Sequence, residues 1–305
     1  MSTATNSASL RRLYASILPF PIRERISKVK RHFPRHVQEL RWHTLGARRL
    51  EQEVNRLLDP GPYSWIFILG CNNSGTTLLS ELLSAHPLIR TLPKEGQRVT
   101  RAIPNSAAYG IGRVFSQRLD LFRWTEEHDG SCLPRLRYDW AWQFTPPPGY
   151  LLEKSPPNTL RARWLQRHFR PSRFIVLVRH PYAVCEGITR RTRYKLDEAA
   201  AHWALVHTIL REDMARLDQC LIVRYEDLCD RPADHLVALE QFLDLPDGFS
   251  PAVLRQRFRS HNLDGTPKPL QNLNARSLKR LSRADLDLIN QCVASEAQHF
   301  GYELL

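Results

Sequence analysis

Residues 64–87 read SWIFILGCNNSGTTLLSELLSAHP, and this stretch decides the fold class. Trp65 to Leu69 is a short apolar run of the kind found in strands buried on both faces. Thr76 to His86 follows with Leu78, Leu79, Leu82 and Leu83 on one helical face, and Pro87 stops it. Between them lies a Gly/Asn/Ser loop, Gly70 to Gly75. Glycine turns tightly and lets an anion approach the backbone. The helix N-terminus then offers N–H groups without intrahelical partners and the positive end of the helix dipole. The hydroxyls of Thr76 and Thr77 add donors. Strand, loop and helix in this order predict a site for a phosphate-type group.

The loop is not a nucleotide-triphosphate loop of the GxxxxGK[ST] kind, because Thr76 stands where the lysine would be. A second apolar run, Arg173 to Val178, ends in Arg179-His180, not in the Asp that helps to hold magnesium. A phosphate-type group bound without metal suits these residues better than a triphosphate with its ion.

Working outward, Leu221 to Val223 reads as a third strand. Helical stretches are expected from Asn158, as cap, to Phe169, after Pro181, over about 196–218, near 232–243 and near 283–299. Alternating strands and helices predict an α/β fold: a P-loop-like three-layer sandwich with a central parallel sheet flanked by helices. Residues 99–149 show no clear period; their scattered aromatics include Trp124, Trp140 and Trp142, which fit a core or a stacking surface for sugar or phenol rings equally well.

The 305 residues carry a net charge of +13, and +8 of it falls in residues 1–58. Ordinary hydrophobic (42%) and charged (25%) shares exclude wholesale disorder, collagen and coiled coil. The expected organisation is a basic, partly helical N-terminal extension over 1–60, with a helix at 36–58, and a catalytic domain over 61–305. Asp59-Pro-Gly-Pro62 marks the boundary. A basic balance suits an anionic ligand, an anionic acceptor or a membrane surface. No nucleic acid is expected, since no DNA- or RNA-binding signature is present. Residues 10–58 mix arginines with apolar side chains, which suits peripheral contact with anionic lipid or packing on the body or on a second subunit. Six cysteines without CxxC or zinc spacing point to free thiols in a reducing compartment, and the N-terminus shows no long apolar signal segment. The expected location is cytoplasmic, with membrane contact at most peripheral.

At this point the residues resemble a family. GCNNSGTTLLSELLSAHP (70–87) resembles the 5′-phosphosulfate loop of sulfotransferases, and RHPYAVCEGITRR (179–191) their 3′-phosphate segment. LEKSPPN (152–158) and VRYEDL (223–228) are similar to two further blocks, in the usual order. The flavour is closer to the tyrosylprotein and bacterial or Golgi-type enzymes than to cytosolic phenol sulfotransferases. The resemblance covers about residues 64–300. It implies the donor PAPS, the product PAP, and no metal.

By that resemblance, Asn73, Ser74, Gly75, Thr76 and Thr77 cradle the 5′-phosphosulfate. Arg179 and Arg191 take the 3′-phosphate, with Arg190 and Arg193 as rivals for the second place. Arg179 also sits at a strand end, where open α/β sheets bind ligands and a guanidinium grips phosphate bidentately. Lys154 neutralises the leaving phosphate. Glu95 takes the proton of the acceptor hydroxyl as general base, with His86 and His180 as rivals. Tyr225 stacks against or bonds the nucleotide, and Ser277 and Lys279 belong to a late segment that closes over the donor. Two positions depart from the family pattern: Asn73 where Lys or Arg is usual, and Gly187 where Ser is usual. They motivate an alternative, a PAPS- or PAP-binding protein with little or no turnover. A P-loop kinase is the further alternative. The acceptor would be a small molecule, a glycan or a peptide, with its pocket built largely from residues 96–150.

Overall fold

Short apolar segments of the chain line up side by side in one parallel sheet. The computed structural model describes residues 36–58, 63–144, 149–258 and 266–305. The expectations for 1–35 and for the boundary at 59–62 lie outside these residues. The strands are β1 (Ser64–Leu69), β2 (Ile89–Thr91), β3 (Tyr150–Lys154), β4 (Ser172–Val178) and β5 (Cys220–Arg224), in the order β2-β3-β1-β4-β5. Besides the helical residues 36–44 and the single turn Leu119–Phe122, the helices, in chain order, are α1 (Ala47–Leu58), α2 (Thr76–Leu83), α3 (Leu133–Ala141), α4 (Ala162–His168), α5 (Pro181–Arg191), α6 (Leu196–Met214), α7 (Tyr225–Asp230), α8 (Pro232–Leu243), α9 (Asn274–Leu278) and α10 (Arg283–His299). Shorter 3₁₀ turns, among them Gly96–Arg98 and Pro156–Leu160, connect them.

Alternation along β1 explains the layers. Trp65, Phe67 and Leu69 face one core, shared with Trp140 of α3, Trp164 of α4, Trp203 of α6 and Val293 of α10. Ile66 and Ile68 face the other, shared with Leu78, Leu79 and Leu82 of α2 and Leu236 and Leu239 of α8. A strand covered on both faces loses its polar alternation, which is why these segments read as continuous apolar runs. This is the central sheet between helical layers that the sequence predicts.

Some local expectations need correcting. The helix at 36–58 is interrupted: residues 36–44 and Ala47–Leu58 are helical, and the break falls at Leu45-Gly46, where glycine has poor helix propensity. Asn158 caps no helix. It lies within the 3₁₀ turn Pro156–Leu160, and α4 begins only at Ala162, because the Asn158 amide donates to the buried Glu153 carboxylate. The chain divides into two compact units, 1–52 and 53–305. The second holds the sheet and everything described below.

The register sets the site. Phe67 of β1 stands opposite Glu153 of β3, and Ile68 opposite Lys154. Leu69 pairs with Val176 of β4, and Val178 with Arg224 of β5. The Gly70 loop, Lys154, Arg179 and Tyr225 therefore leave the sheet at its carboxyl edge, where ligands of open α/β sheets bind.

Candidate active site

The loop after β1 is shaped by two left-handed residues, Asn73 (φ +66°) and Gly75 (φ +97°). A Cβ on Gly75 would stand 2.8 Å from the Tyr225 ring, so glycine is required by space as well as by φ. Gly75 is the N-cap of α2, with no side chain capping it and no acidic residue in the first turn. Those N–H groups and the helix dipole are left for an anion. The side chains of Asn72, Asn73 and Ser74 each bury one polar atom (Oδ1, Nδ2 and Oγ) that has no protein partner. Buried polar atoms normally find partners; of these three residues, Asn72 and Asn73 line the cleft described next.

A cleft of about 520 Å³ opens over the loop. Arg98, Arg113, Arg179, Arg190, Arg191, Lys268, Arg276 and Arg280 line it, and among the described residues Glu95 is its one carboxylate. Its volume lies in the range of small-molecule sites, and its charge demands an anionic occupant. The cations strain one another. Burial holds the Arg191 guanidinium below its ordinary value, and Arg113, Arg190 and Arg179 add to this. Burial likewise lowers Arg113, partly offset by Glu95.

Arg179 is nearly buried, and its direction is fixed from several sides. Its guanidinium lies 4.0 Å from the Tyr225 ring centre, Nε donates to Asn274 Oδ1 at 2.8 Å and Nη1 to the Asn73 carbonyl at 2.8 Å. Its own carbonyl accepts from the Trp203 indole. Arg191, at the end of α5, reaches the Asn73 side-chain oxygen at 3.1 Å. Arg190 lines the same cleft while its Nε donates to Glu186 at 2.6 Å, so Arg190 and Arg191 both face the cavity. Arg193 does not line it.

At the other end of the loop, Lys154 Nζ donates to Thr77 Oγ1 at 3.2 Å and meets Glu95 Oε1 at 3.4 Å. Glu95 Oε2 accepts from Gln97 Nε2 at 2.7 Å and pairs with Arg98 Nε at 3.2 Å. The segment carrying Glu95 is anchored beneath. Gly96 N–H donates to Glu153 at 2.7 Å, Gly96 carbonyl accepts from the Trp140 indole at 3.2 Å, and Gln97 N–H reaches Ser155 Oγ at 3.4 Å. A second cavity, about 440 Å³, shares Glu95 and Arg98 with the first and adds Lys94, Asn105, Ala107 and Lys154. Asn105 and Ala107 belong to the segment expected to shape the acceptor pocket.

The structure thus brings Asn73, Gly75, Thr76, Thr77, Glu95, Arg179, Gly187, Arg191 and Ser277 onto one cleft, with Lys154 beside it. It does not place every residue there. Tyr225 is wholly buried behind the loop, under Gly75 and Arg179, and its hydroxyl donates to the Gln271 carbonyl. These contacts support the loop and Arg179. Lys279 is exposed outside the lining; Arg276, Ser277 and Arg280 present the face of that segment that meets the cleft. Ser277 Oγ donates to Glu186 at 2.8 Å. Ser74 is fully buried. The rival bases are engaged elsewhere: His86 packs on Phe249 and bonds the Asp247 carbonyl, and His180 caps α5 and bonds the Glu303 carbonyl. Trp124 and Trp140 are core residues. Sequence reasoning missed Arg98, Arg113 and Glu153, and only Glu153, inside the LEKSPPN block, stood in a quoted motif.

Among the described residues no group of His, Cys, Asp and Glu could hold a metal ion, and no helix is long and apolar enough to cross a membrane. Comparison with known proteins agrees with this architecture. The model of the sulfotransferase family matches residues 65–251. Protein-tyrosine sulfotransferase 1 of Danio rerio is 27% identical over 189 residues, 59% of this chain and 53% of that protein. The protein-tyrosine sulfotransferase of Drosophila melanogaster is 25% identical over 211 residues, 66% of this chain and 42% of that protein. The matched region thus spans about half the length of these relatives. In fold, the chain is similar to sulfotransferase STF1 from Mycobacterium tuberculosis H37Rv, with a TM-score of 0.50 at 12% identity, covering 82% of this chain and 81% of that one.

Proposed function

The chain belongs to the sulfotransferase family, and from that premise we propose that it moves a sulfuryl group from PAPS to a hydroxyl or amine of an acceptor, with Glu95 as general base. The cleft fits that donor: an uncapped helix N-terminus beside the Asn72 side chain suits its phosphosulfate end, and the arginines suit its second phosphate. When bound, PAPS supplies an activated sulfuryl group whose leaving group is a phosphate. The loop N–H groups from Asn73 to Thr77 hold the phosphosulfate end, and Arg179 and Arg191 hold the 3′-phosphate. Lys154 brings positive charge to the mouth of the loop.

One observation carries this reading. Lys154 Nζ bridges Thr77 of the phosphate loop and the Glu95 carboxylate, at 3.2 Å and 3.4 Å. A base is thereby held within one lysine head group of the donor loop. An acceptor entering the second cavity meets Glu95 at the seam between the two. Proton removal by a positioned carboxylate is worth roughly 10²–10⁴-fold in rate. Charge placed where the leaving phosphate develops adds to it.

Purified protein given labelled PAPS and an acceptor panel should release PAP. The names of the relatives make a tyrosyl peptide the first acceptor to try, before phenols and glycan hydroxyls. Glu95→Gln should lower kcat at least about 10²-fold while PAP binding stays near wild type. Arg179→Ala should weaken PAP binding itself. Full turnover in Glu95→Gln would remove the base assignment. The neutral Asn73 favours the second reading, a nucleotide binder of low turnover; tight PAP binding beside no transfer across the panel would establish it instead.

A further inference from the structure

We infer that Arg113 is a further donor-binding residue, and that Asn73 serves as the acceptor that seats it over the phosphate loop. The inference rests on the donor-binding reading above.

Guanidinium groups from distant parts of the chain converge on Asn73. Arg113 Nη1 donates to its side-chain oxygen at 2.9 Å, Arg191 Nη1 to the same oxygen at 3.1 Å, and Arg179 Nη1 to its backbone carbonyl at 2.8 Å. Asn73 sits at φ +66°, a left-handed conformation that Asn adopts more readily than most residues. Because arginine can only donate, the two bonds to Oδ1 fix which way the amide faces. Its Nδ2 then turns to Gly187, where a Cβ would stand 3.3 Å from that nitrogen and 3.3 Å from Cγ. The glycine leaves the slot in which the amide lies. The Asn73 and Gly187 departures are therefore one local arrangement.

A neutral amide brings no charge to the loop tip. It brings an oxygen on which two like-charged groups can close, where a lysine would repel both. The charge comes instead from Arg113, which lines the cleft beside Glu95, Arg98, Arg190 and Arg191. Its backbone is rooted: Ile111 N–H bonds the Ser106 carbonyl, Val114 N–H bonds the Ile111 carbonyl, and Val114 is fully buried. Ser106 N–H in turn donates to Gln97, the neighbour of the Glu95 carboxylate.

The test is calorimetric titration with PAP, with thermal unfolding as the check on folding. Wild type should bind PAP, and Arg179→Ala should weaken it. If neither holds, the donor site itself is misassigned and the inference falls with it. Given binding, Arg113→Ala and Arg113→Gln should each weaken PAP at least about tenfold, as expected for a charge-assisted contact. Asn73→Lys should act with opposite sign in two backgrounds: it should restore affinity to Arg113→Ala, and lower affinity or the unfolding temperature where Arg113 is intact. PAP affinity within twofold of wild type in both Arg113 variants would overturn the inference. So would the same effect of Asn73→Lys in both backgrounds, since a merely structural Arg113 predicts no reversal.

Discussion

Glu153 illustrates how much of the site hangs on one buried carboxyl. It accepts from Gly96 N–H, from Ser155 and from the Asn158 amide, and burial pushes its pKa up to about 7. Through Gly96 it sets the height of Glu95 above the sheet. A Cβ on Gly96 would stand 2.6 Å from the Glu153 carboxylate and 2.7 Å from the Trp140 ring. Gly96→Ala should therefore push the Glu95 turn outward, cutting kcat about tenfold or more with little change in PAP affinity. Glu153→Ala should cost about 1–3 kcal/mol of stability, because it leaves buried donors without an acceptor; urea unfolding measures this. An unchanged unfolding midpoint in Glu153→Ala would show that these bonds are not what holds the turn.

At the scale of elements, α6 holds a titration opposed to that of β3. His202 and His207 are wholly buried on α6, and burial pulls their pKa values down to about 3 and about 4. Below the ordinary 6.5 the unfolded chain takes up protons at both that the native state refuses, so stability falls as pH falls. Glu153 has the reverse sign: its native value lies above 4.5, so its contribution is lost as pH rises toward 7. Each group is worth about 1.4 kcal/mol per pH unit where only one state titrates. Two histidines against one carboxyl leave a net gain in stability from these groups on going from pH 4.5 to 6.5. Urea midpoints across that window should rise; a flat or falling series would refute the balance.

The same elements show what a sequence discloses. β1, α2, α8 and α10 were legible because a continuous apolar run or a one-sided leucine pattern is a local signal, and the loop between β1 and α2 announced its chemistry through residue type alone. Thr77, Glu95, Lys154 and Arg179 came through the resemblance, and the structure gathers them. Arg113 left no such trace: it sits in a segment without period, and its meaning lies in a contact forty residues away. Gly187 was legible as a departure, but only the slot it leaves for Asn73 explains it. Lys279 could not be told from Arg276 and Arg280 in sequence, because facing is decided by the turn after α9.

For the molecule as a whole, charge is distributed to serve one cavity. Outside residues 1–58 the net charge is modest, yet eight of the described cationic side chains line the cleft. Such a concentration draws anions in and is screened over about 10 Å at 0.1 M salt. Raising salt from about 0.05 to 0.5 M should slow PAP association about tenfold or more, measured by stopped flow, with a smaller effect on thermal stability. An association rate indifferent to salt would mean that the cations hold the nucleotide without steering it.

The excursion between β2 and β3 invites partial grafting: Asn105 and Ala107 border the second cavity, while Gly96 and Trp140 pack on Glu153 and Trp65 of the sheet, so a chimaera that keeps those two contacts could exchange the cavity-lining part to change acceptor choice. Arg113 sets a condition on such a swap. A borrowed excursion lacking that arginine would strip positive charge from the cleft over the loop, and the transplant would need a lysine at position 73 to travel with it.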